Sequence, residues 1–366
     1  MNRIVLAYSG GLDTSVAIAW LAEAHGADVV SVTLDLGQGR ELESVRERAL
    51  AAGAVRAHVL DAREEFARRY VLPALQAGAM DDGGHPMAAA LSRALIGGTL
   101  VEIARIEGSD TIAHGCSGQG REASRIEAPA RALMPGVHIL APAREWGMTR
   151  PERIAYARAR GITLPAEAAA PYRTSANLWA RSVDGSPLAD PSAQPPAGLF
   201  TLTRDPEACP DAPAYVDLQF ERGVPVAVNG VAMPFADIVS SVATIAGNHG
   251  VGRADVVTSR AAAVASREIR EAPAAAVLCL AHRELEGLVS PPDLLRLRRA
   301  IALEYAGTVD RGDWHSPARE AMDAFVAKAE ERVTGTVRVR LHKGSAHVAA
   351  LTHGSAGRPA APGKAI

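Results

Sequence analysis

Ala7-Tyr8-Ser9-Gly10-Gly11-Leu12-Asp13-Thr14-Ser15 joins an apolar, β-branched run over residues 4–8 to a segment over 13–24 that places Val16, Ile18 and Leu21 on one helical face. A strand, a glycine turn and a helix follow in immediate succession. Two adjacent glycines let a backbone come close to an anion, the first helical turn offers unpaired N–H groups at the positive end of a dipole, and Ser9, Thr14 and Ser15 add hydroxyl donors. Asp13 is the odd member: a carboxylate beside phosphates repels them unless a cation intervenes, so it is expected to help position Mg²⁺. Ordinary helix-capping chemistry would also account for Ser-Gly-Gly-x-Asp. Position favours the anion, because this is the first βα turn of a pattern that reads as a parallel sheet, where ligands sit at the carboxyl edge.

Outward from that turn, strand-like runs over 29–34, 58–60, 110–114 and 137–141 alternate with helical stretches over 41–52, 64–70 and 86–106. This predicts an α/β, Rossmann-like nucleotide-binding domain over 1–165. A second glycine-rich stretch, Gly115-Cys116-Ser117-Gly118-Gln119-Gly120, follows the fourth strand-like run. Beyond residue 165 a series of prolines, Pro165, Pro171, Pro187, Pro191, Pro195 and Pro196, rules out continuous helix and marks a change of domain. Strands over 215–220 and 225–228 meeting at Arg222-Gly223, helices over 234–247 and 291–331, and a strand over 336–341 predict an α+β domain over 166–352. Residues 353–366 are small, Pro/Gly-rich and expected to be disordered.

Composition narrows the chemistry. The 366 residues carry 39 Lys+Arg and 41 Asp+Glu, so the basic excess that a nucleic-acid backbone demands is missing. Cys116, Cys209 and Cys279 are far apart and form no disulfide framework; with neither an apolar leader nor a spanning segment, the sequence predicts a cytoplasmic enzyme without membrane partners. Lysine occurs only at 328, 343 and 364, which excludes a Walker-type loop from the first 327 residues. Phosphate chemistry there must use glycine amides, hydroxyls and arginines. No histidine stands at metal-binding spacing, so no structural metal is expected.

The opening turn resembles the SGGxD[ST] loop of the ATP pyrophosphatases. Its nearest likeness is to the argininosuccinate synthase family, carried by AYSGGLDTS (7–15), LDLGQG (34–39), AHGCSGQG (113–120), REW (144–146), NLWARS (177–182), NHGVGR (248–253), AHRELE (281–286) and VTGTVRVRLHKG (333–344). The resemblance implies a PP-loop nucleotide-binding domain, then a synthetase domain that also serves oligomerisation, usually as a homotetramer. It implies a C–N ligase that uses ATP with Mg²⁺, adenylates citrulline, condenses it with aspartate, and releases AMP and pyrophosphate. Residues 7–15 would hold the triphosphate through Ala7, Tyr8, Ser9, Gly10, Gly11, Leu12, Asp13, Thr14 and Ser15, with the Leu34 backbone on adenine and Gly115 beside the nucleotide. Ser117 would face aspartate, and Arg125 and Ser182 citrulline. Ser9, Asp13 and Arg125 are the expected catalytic residues.

Where the family writes Tyr-Pro-Leu, a small residue, then Thr-Ser, this chain has His85-Pro86-Met87-Ala88-Ala89-Ala90. The family's Asn-Asp becomes Arg121-Glu122, the serine of Pro-Tyr-Ser becomes Arg173, a glutamate becomes Thr258, and a tyrosine becomes Arg270. Three new arginines and a lost acid predict an acceptor pocket richer in positive charge, suited to an acceptor with an extra carboxylate or without an α-amino group. Arginines turned outward, or paired within the protein, would undo that expectation. Glu122 could still hold the amine of the second substrate. An unaltered arginine-pathway enzyme and a non-catalytic nucleotide-binding regulator are the other readings.

Overall fold

The computed structural model describes all residues except 1, 40, 41, 82, 117–120, 166–170, 191, 197, 260–264 and 355–366, and excludes the side chains of 258, 259, 265 and 266. Ser117 and the end of the tail expected to be disordered fall outside the described residues. The chain divides into two compact units. The first gathers residues 1–66, 90–170 and 307–319; the second gathers 67–89, 171–306 and 320–366.

The first unit is built on a parallel sheet of β1 (Arg3–Ala7), β2 (Asp28–Asp35), β3 (Arg56–Asp61), β4 (Thr111–Ala113) and β5 (His138–Leu140), in the order β3-β2-β1-β4-β5. β2 reads DVVSVTLD and is buried along its whole middle, as a strand covered on both faces must be. α1 (Leu12–His25) and α2 (Leu42–Ala51) connect the first three strands. Ile4, Leu6, Val16, Ile18, Leu21, Val29 and Val45 form the core between sheet and helices. After α3 (Arg63–Phe66) the chain passes into the second unit through a π-helical stretch, Ala67–Val71, α4 (Leu72–Ala77) and a loop, and returns along α5 (Ala88–Ile106). α6 (Ser124–Leu133), α7 (Pro142–Glu145) and α8 (Arg150–Ala159) complete the α/β region, α8 being started by a reciprocal capping box between Thr149 and Glu152. Strand order reverses between β1 and β4, so the carboxyl ends of these two strands form the crevice in which open α/β sheets bind ligands.

The second unit holds two antiparallel sheets. One orders β8 (Ala214–Glu221), β9 (Val224–Val228), β10 (Val231–Ala232), β13 (Gly335–His342) and β14 (Ser345–His353) as β10-β9-β8-β13-β14. Alternating Val216, Leu218 and Phe220 on β8, with Val337, Val339 and Leu341 on β13, turn one face inward. The hairpin expected at Arg222-Gly223 forms, both residues taking the left-handed region at φ 51° and 75°. The other sheet, β11-β12-β7-β6, comprises β6 (Tyr172–Ala176), β7 (Arg181–Gly185), β11 (Arg253–Ser259) and β12 (Ala265–Glu271). α9 (Phe235–Asn248) and α10 (Pro273–Val289) pack against the first sheet. The helix expected over 291–331 is two: α11 (Pro292–Arg311) stops at Gly312, whose φ is 86°, and α12 (Pro317–Glu330) restarts at a proline suited to a first turn.

Glu271 ends β12 with no exposed surface and takes the N–H groups of Thr201, Leu202 and Thr203, the Thr203 hydroxyl, and Arg181 Nη1 at 2.9 Å. One carboxylate thereby fixes a whole loop to the second sheet. Glu271→Ala strands those donors and the Arg181 cation, and is expected to cost about 3–5 kcal/mol. Urea denaturation measures the loss.

Candidate active site

The chain leaves β1 through Tyr8, whose N–H donates to Val32 O at 2.8 Å while its carbonyl accepts from Thr33 Oγ1 at 2.9 Å. These bonds pin the turn to β2. Gly10 then takes φ 75°, a conformation costly for any residue with a Cβ. Gly11 caps α1 in extended conformation, and no side chain closes that cap, so the helix keeps the positive end that an anion requires. Ser9 Oγ and Thr14 Oγ1 lie 3.1 Å apart over this helix end, and buried Ser15 Oγ meets Tyr8 OH at 3.0 Å. Ala7, Tyr8, Ser9, Gly10, Gly11, Leu12, Thr14 and Ser15 thus form one cup. Asp13 extends from its rim and pairs with Arg153 Nη1 at 2.9 Å, a partner the sequence reading did not foresee.

Beside the cup, β4 is followed by His114, which is fully buried. Its Nδ1 accepts the Cys116 N–H at 3.2 Å and its Nε2 meets Glu127 Oε1 at 3.2 Å, which assigns the ring proton to Nε2. Burial pushes the imidazole below its ordinary value, so the neutral form is the one that holds the turn. Glu127 also takes Arg131 at 2.9 Å and Arg144, of the REW motif, at 2.5 Å. Burial raises this carboxyl, but the two arginines and His114 outweigh it and hold it low. Gly115 is pressed so close to the cup that a Cβ there would stand 2.9 Å from Thr14 Cγ2. Farther along the edge, the Leu34 carbonyl accepts Gln38 Nε2 at 2.7 Å, and Gln38 Oε1 takes the Leu36 N–H at 2.6 Å; the glutamine of LDLGQG shapes this loop.

The expected acceptor residues fall into two groups. In the first unit, Glu122 accepts Arg125 Nη1 at 2.8 Å and pairs with Arg93 at 3.0 Å, while Arg125 also donates to the Asp310 carbonyl at 3.0 Å and pairs with its carboxylate. Arg121 pairs with the same Asp310. Burial pushes Glu122 up, yet Arg93 and Arg125 prevail and keep it ionised. Ala90, near the start of α5, is buried.

In the second unit, Arg270 donates to Asp81 Oδ2 at 2.6 Å and Glu268 Oε2 at 2.8 Å. The other oxygen of Asp81 takes the N–H groups of Gly83 and His85 at 3.0 and 2.8 Å, so Arg270 anchors the 81–85 turn and sets His85 in place. Ser182 lies opposite Arg270 in the β7–β12 register, and Arg173 lies opposite Asp184 and pairs with it at 2.9 Å. Thr258 sits on β11 opposite Ser266, with its side chain outside the described set. The expectation of surplus positive charge is corrected at two of the three positions: Arg173 and Arg270 are paired with carboxylates of the chain, while Arg121 shares Asp310 with Arg125. Sequence spacing could not reveal partners 11 to 189 residues away.

Residues 3–163 match the arginosuccinate synthase N-terminal HUP domain and residues 172–355 its C-terminal domain. The argininosuccinate synthase of Symbiobacterium thermophilum is 48% identical over 346 residues, spanning 94% of this chain and 86% of that one. That of Rubrobacter xylanophilus is 47% identical over 348 residues, spanning 95% and 85%. This chain belongs to the argininosuccinate synthase family. It is accordingly an ATP-dependent ligase that forms a C–N bond with cleavage of ATP to AMP and pyrophosphate. Among the described residues, no helix is long and apolar enough to cross a membrane.

Several residues that shape this synthase-family site escaped the sequence reading: Arg93, Glu127, Arg153 and Asp310 belong to no local motif. His85 was found, but its state was not. Burial, followed by the neighbouring Arg270, pushes its imidazole down to about 4, with Asp81 opposing, and its buried Nε2 has no hydrogen-bond partner among the described residues. Because the folded state resists this proton and the unfolded chain does not, stability falls as pH drops from 6.5 to about 4. His85→Gln is expected to remove about 3 kcal/mol of that acid sensitivity. Urea midpoints of both proteins across this range test the expectation.

Proposed function

We propose that the Ser9–Ser15 cup receives the β and γ phosphates of ATP while the ureido or carbonyl-type oxygen of an acceptor, citrulline in the first instance, attacks the α-phosphorus. Pyrophosphate leaves into the cup, the acceptor becomes an adenylate, and the amine of aspartate displaces AMP. The observation that carries this reading is the uncapped α1 N-terminus at the strand-order reversal, lined by Ser9 and Thr14 hydroxyls. Leu34 would meet adenine through its backbone and Gly115 would border the nucleotide. Glu122, kept ionised by Arg93 and Arg125, suits an ammonium partner, and Ser117 stands where the resemblance puts an aspartate contact.

Mg²⁺ enters with the triphosphate. Among the described residues no cluster of His, Cys, Asp and Glu could hold it alone. Asp13, at the rim, is the carboxylate placed to approach that ion, with Arg153 holding it ready. Residues 1–165 would serve the nucleotide and 166–352 the acceptor and assembly into a homotetramer, in the cytoplasm. The catalytic gain comes from positioning and charge stabilisation.

A second reading is favoured by the 81–85 turn. A neutral His85 and an Arg270 occupied by Asp81 and Glu268 stand where the resemblance puts hydroxyl-bearing side chains, which suits an acceptor other than citrulline that keeps the ureido group. Pyrophosphate release from Mg·ATP separates the two. Citrulline with aspartate is expected to drive turnover on the first reading, and ureido acids lacking the α-amino group on the second. Asp13→Asn is expected to lower the rate at least about 100-fold in either case; unchanged release would overturn the cup assignment.

A further inference from the structure

α2 packs directly against the back of the cup. A Cβ on Gly10 would stand 3.2 Å from Val45 Cγ1 and 3.2 Å from Arg48 Nη2, so the guanidinium lies against the glycine itself. Arg48 Nη1 donates to Ser44 Oγ, one turn earlier, at 3.2 Å. That bond steers the side chain along α2 toward the turn. Arg48 Nε is buried without a partner, and no carboxylate pairs with Arg48 among the described residues. The Tyr8 hydroxyl also feels this cation: burial pushes its pKa above the ordinary value, while Ser15 and then Arg48 pull it down. Arg121, Arg125, Arg153 and Arg270 each have an acid within the protein. Arg48 differs from them. A guanidinium stays ionised at any accessible pH, and a half-buried one without a counter-ion is costly unless a bound anion supplies the missing charge.

We propose that Arg48 is a positioning residue for the phosphate cup, holding a fixed positive charge behind Gly10 that favours the β and γ phosphates of ATP and the pyrophosphate that departs. This rests on the reading that the cup receives those phosphates. The charge acts through the loop: Gly10 has no side chain between the guanidinium and the anion, and Tyr8 and Ser15 hold the turn against α1. No lysine lies in the first 327 residues, so an arginine is the only permanent side-chain cation this region can offer. Because the charge acts on the β and γ phosphates, its loss should fall on pyrophosphate and ATP and spare AMP.

The test titrates the full-length protein with Mg·pyrophosphate, Mg·ATP and AMP by calorimetry, using wild type, Arg48→Met, Arg48→Lys and Ser9→Ala. Arg48→Met is expected to weaken pyrophosphate and ATP binding by about tenfold or more with AMP changed less than about twofold, and Arg48→Lys to recover to within about threefold of wild type. The wild-type advantage should shrink as salt is raised. Pyrophosphate binding unchanged in Arg48→Met, or AMP weakened equally, would overturn the proposal, the latter showing a packing role only. The Ser9→Ala arm separates the premise: if pyrophosphate fails to compete with ATP in the wild type and Ser9→Ala changes neither, the cup assignment falls together with the role of Arg48.

Discussion

The close approach at Gly10 constrains everything around it. Its φ of 75° bends the chain from β1 into α1, and the space where a side chain would stand is filled by Val45 and Arg48 from α2. A single hydrogen atom at this position lets a strand, two helices and a potential anion meet. Gly115 repeats the device across the reversal of strand order, where Thr14 leaves no room for a methyl group. The crevice is therefore defined by missing side chains on both sides, and the hydroxyls of Ser9 and Thr14 line what remains.

Much of this was legible in the chain. The apolar run before Ser9 and the segment after Asp13 gave β1 and α1, whose apolar residues are buried in the core. The family motifs located the second glycine turn and the loop at Gln38. Other elements hid for physical reasons. β6 reads YRTSA, with polar side chains on both faces, and carries no alternation from which a strand could be inferred. α10 begins with Pro273 and a run of small residues, and it packs against α9 and the sheet.

Charge was the least legible property. Reading Arg121, Arg173 and Arg270 as a gain of positive charge counts cations where they occur and leaves out the acids that fold against them. Asp310 lies far along the chain from Arg121 and Arg125, and Asp81 equally far from Arg270. The correction changes what the altered residues do: Arg270 sets the 81–85 turn, Arg173 ties β6 to β7, and Arg121 shares an acid with Arg125. An arginine that replaces the family's tyrosine can thus set a nearby turn without leaving a free charge.

Asp310 carries a last consequence. It belongs to the short segment 307–319 that returns to the first unit after residues 67–89 and 171–306 of the second, with 320–366 still to follow. During translation the Arg121–Arg125 cluster must wait for that acid to clear the ribosome, long after β1 to β5 have emerged. The N-terminal α/β region is consequently unfinished as an autonomous folding piece until residues 307–319 have been made.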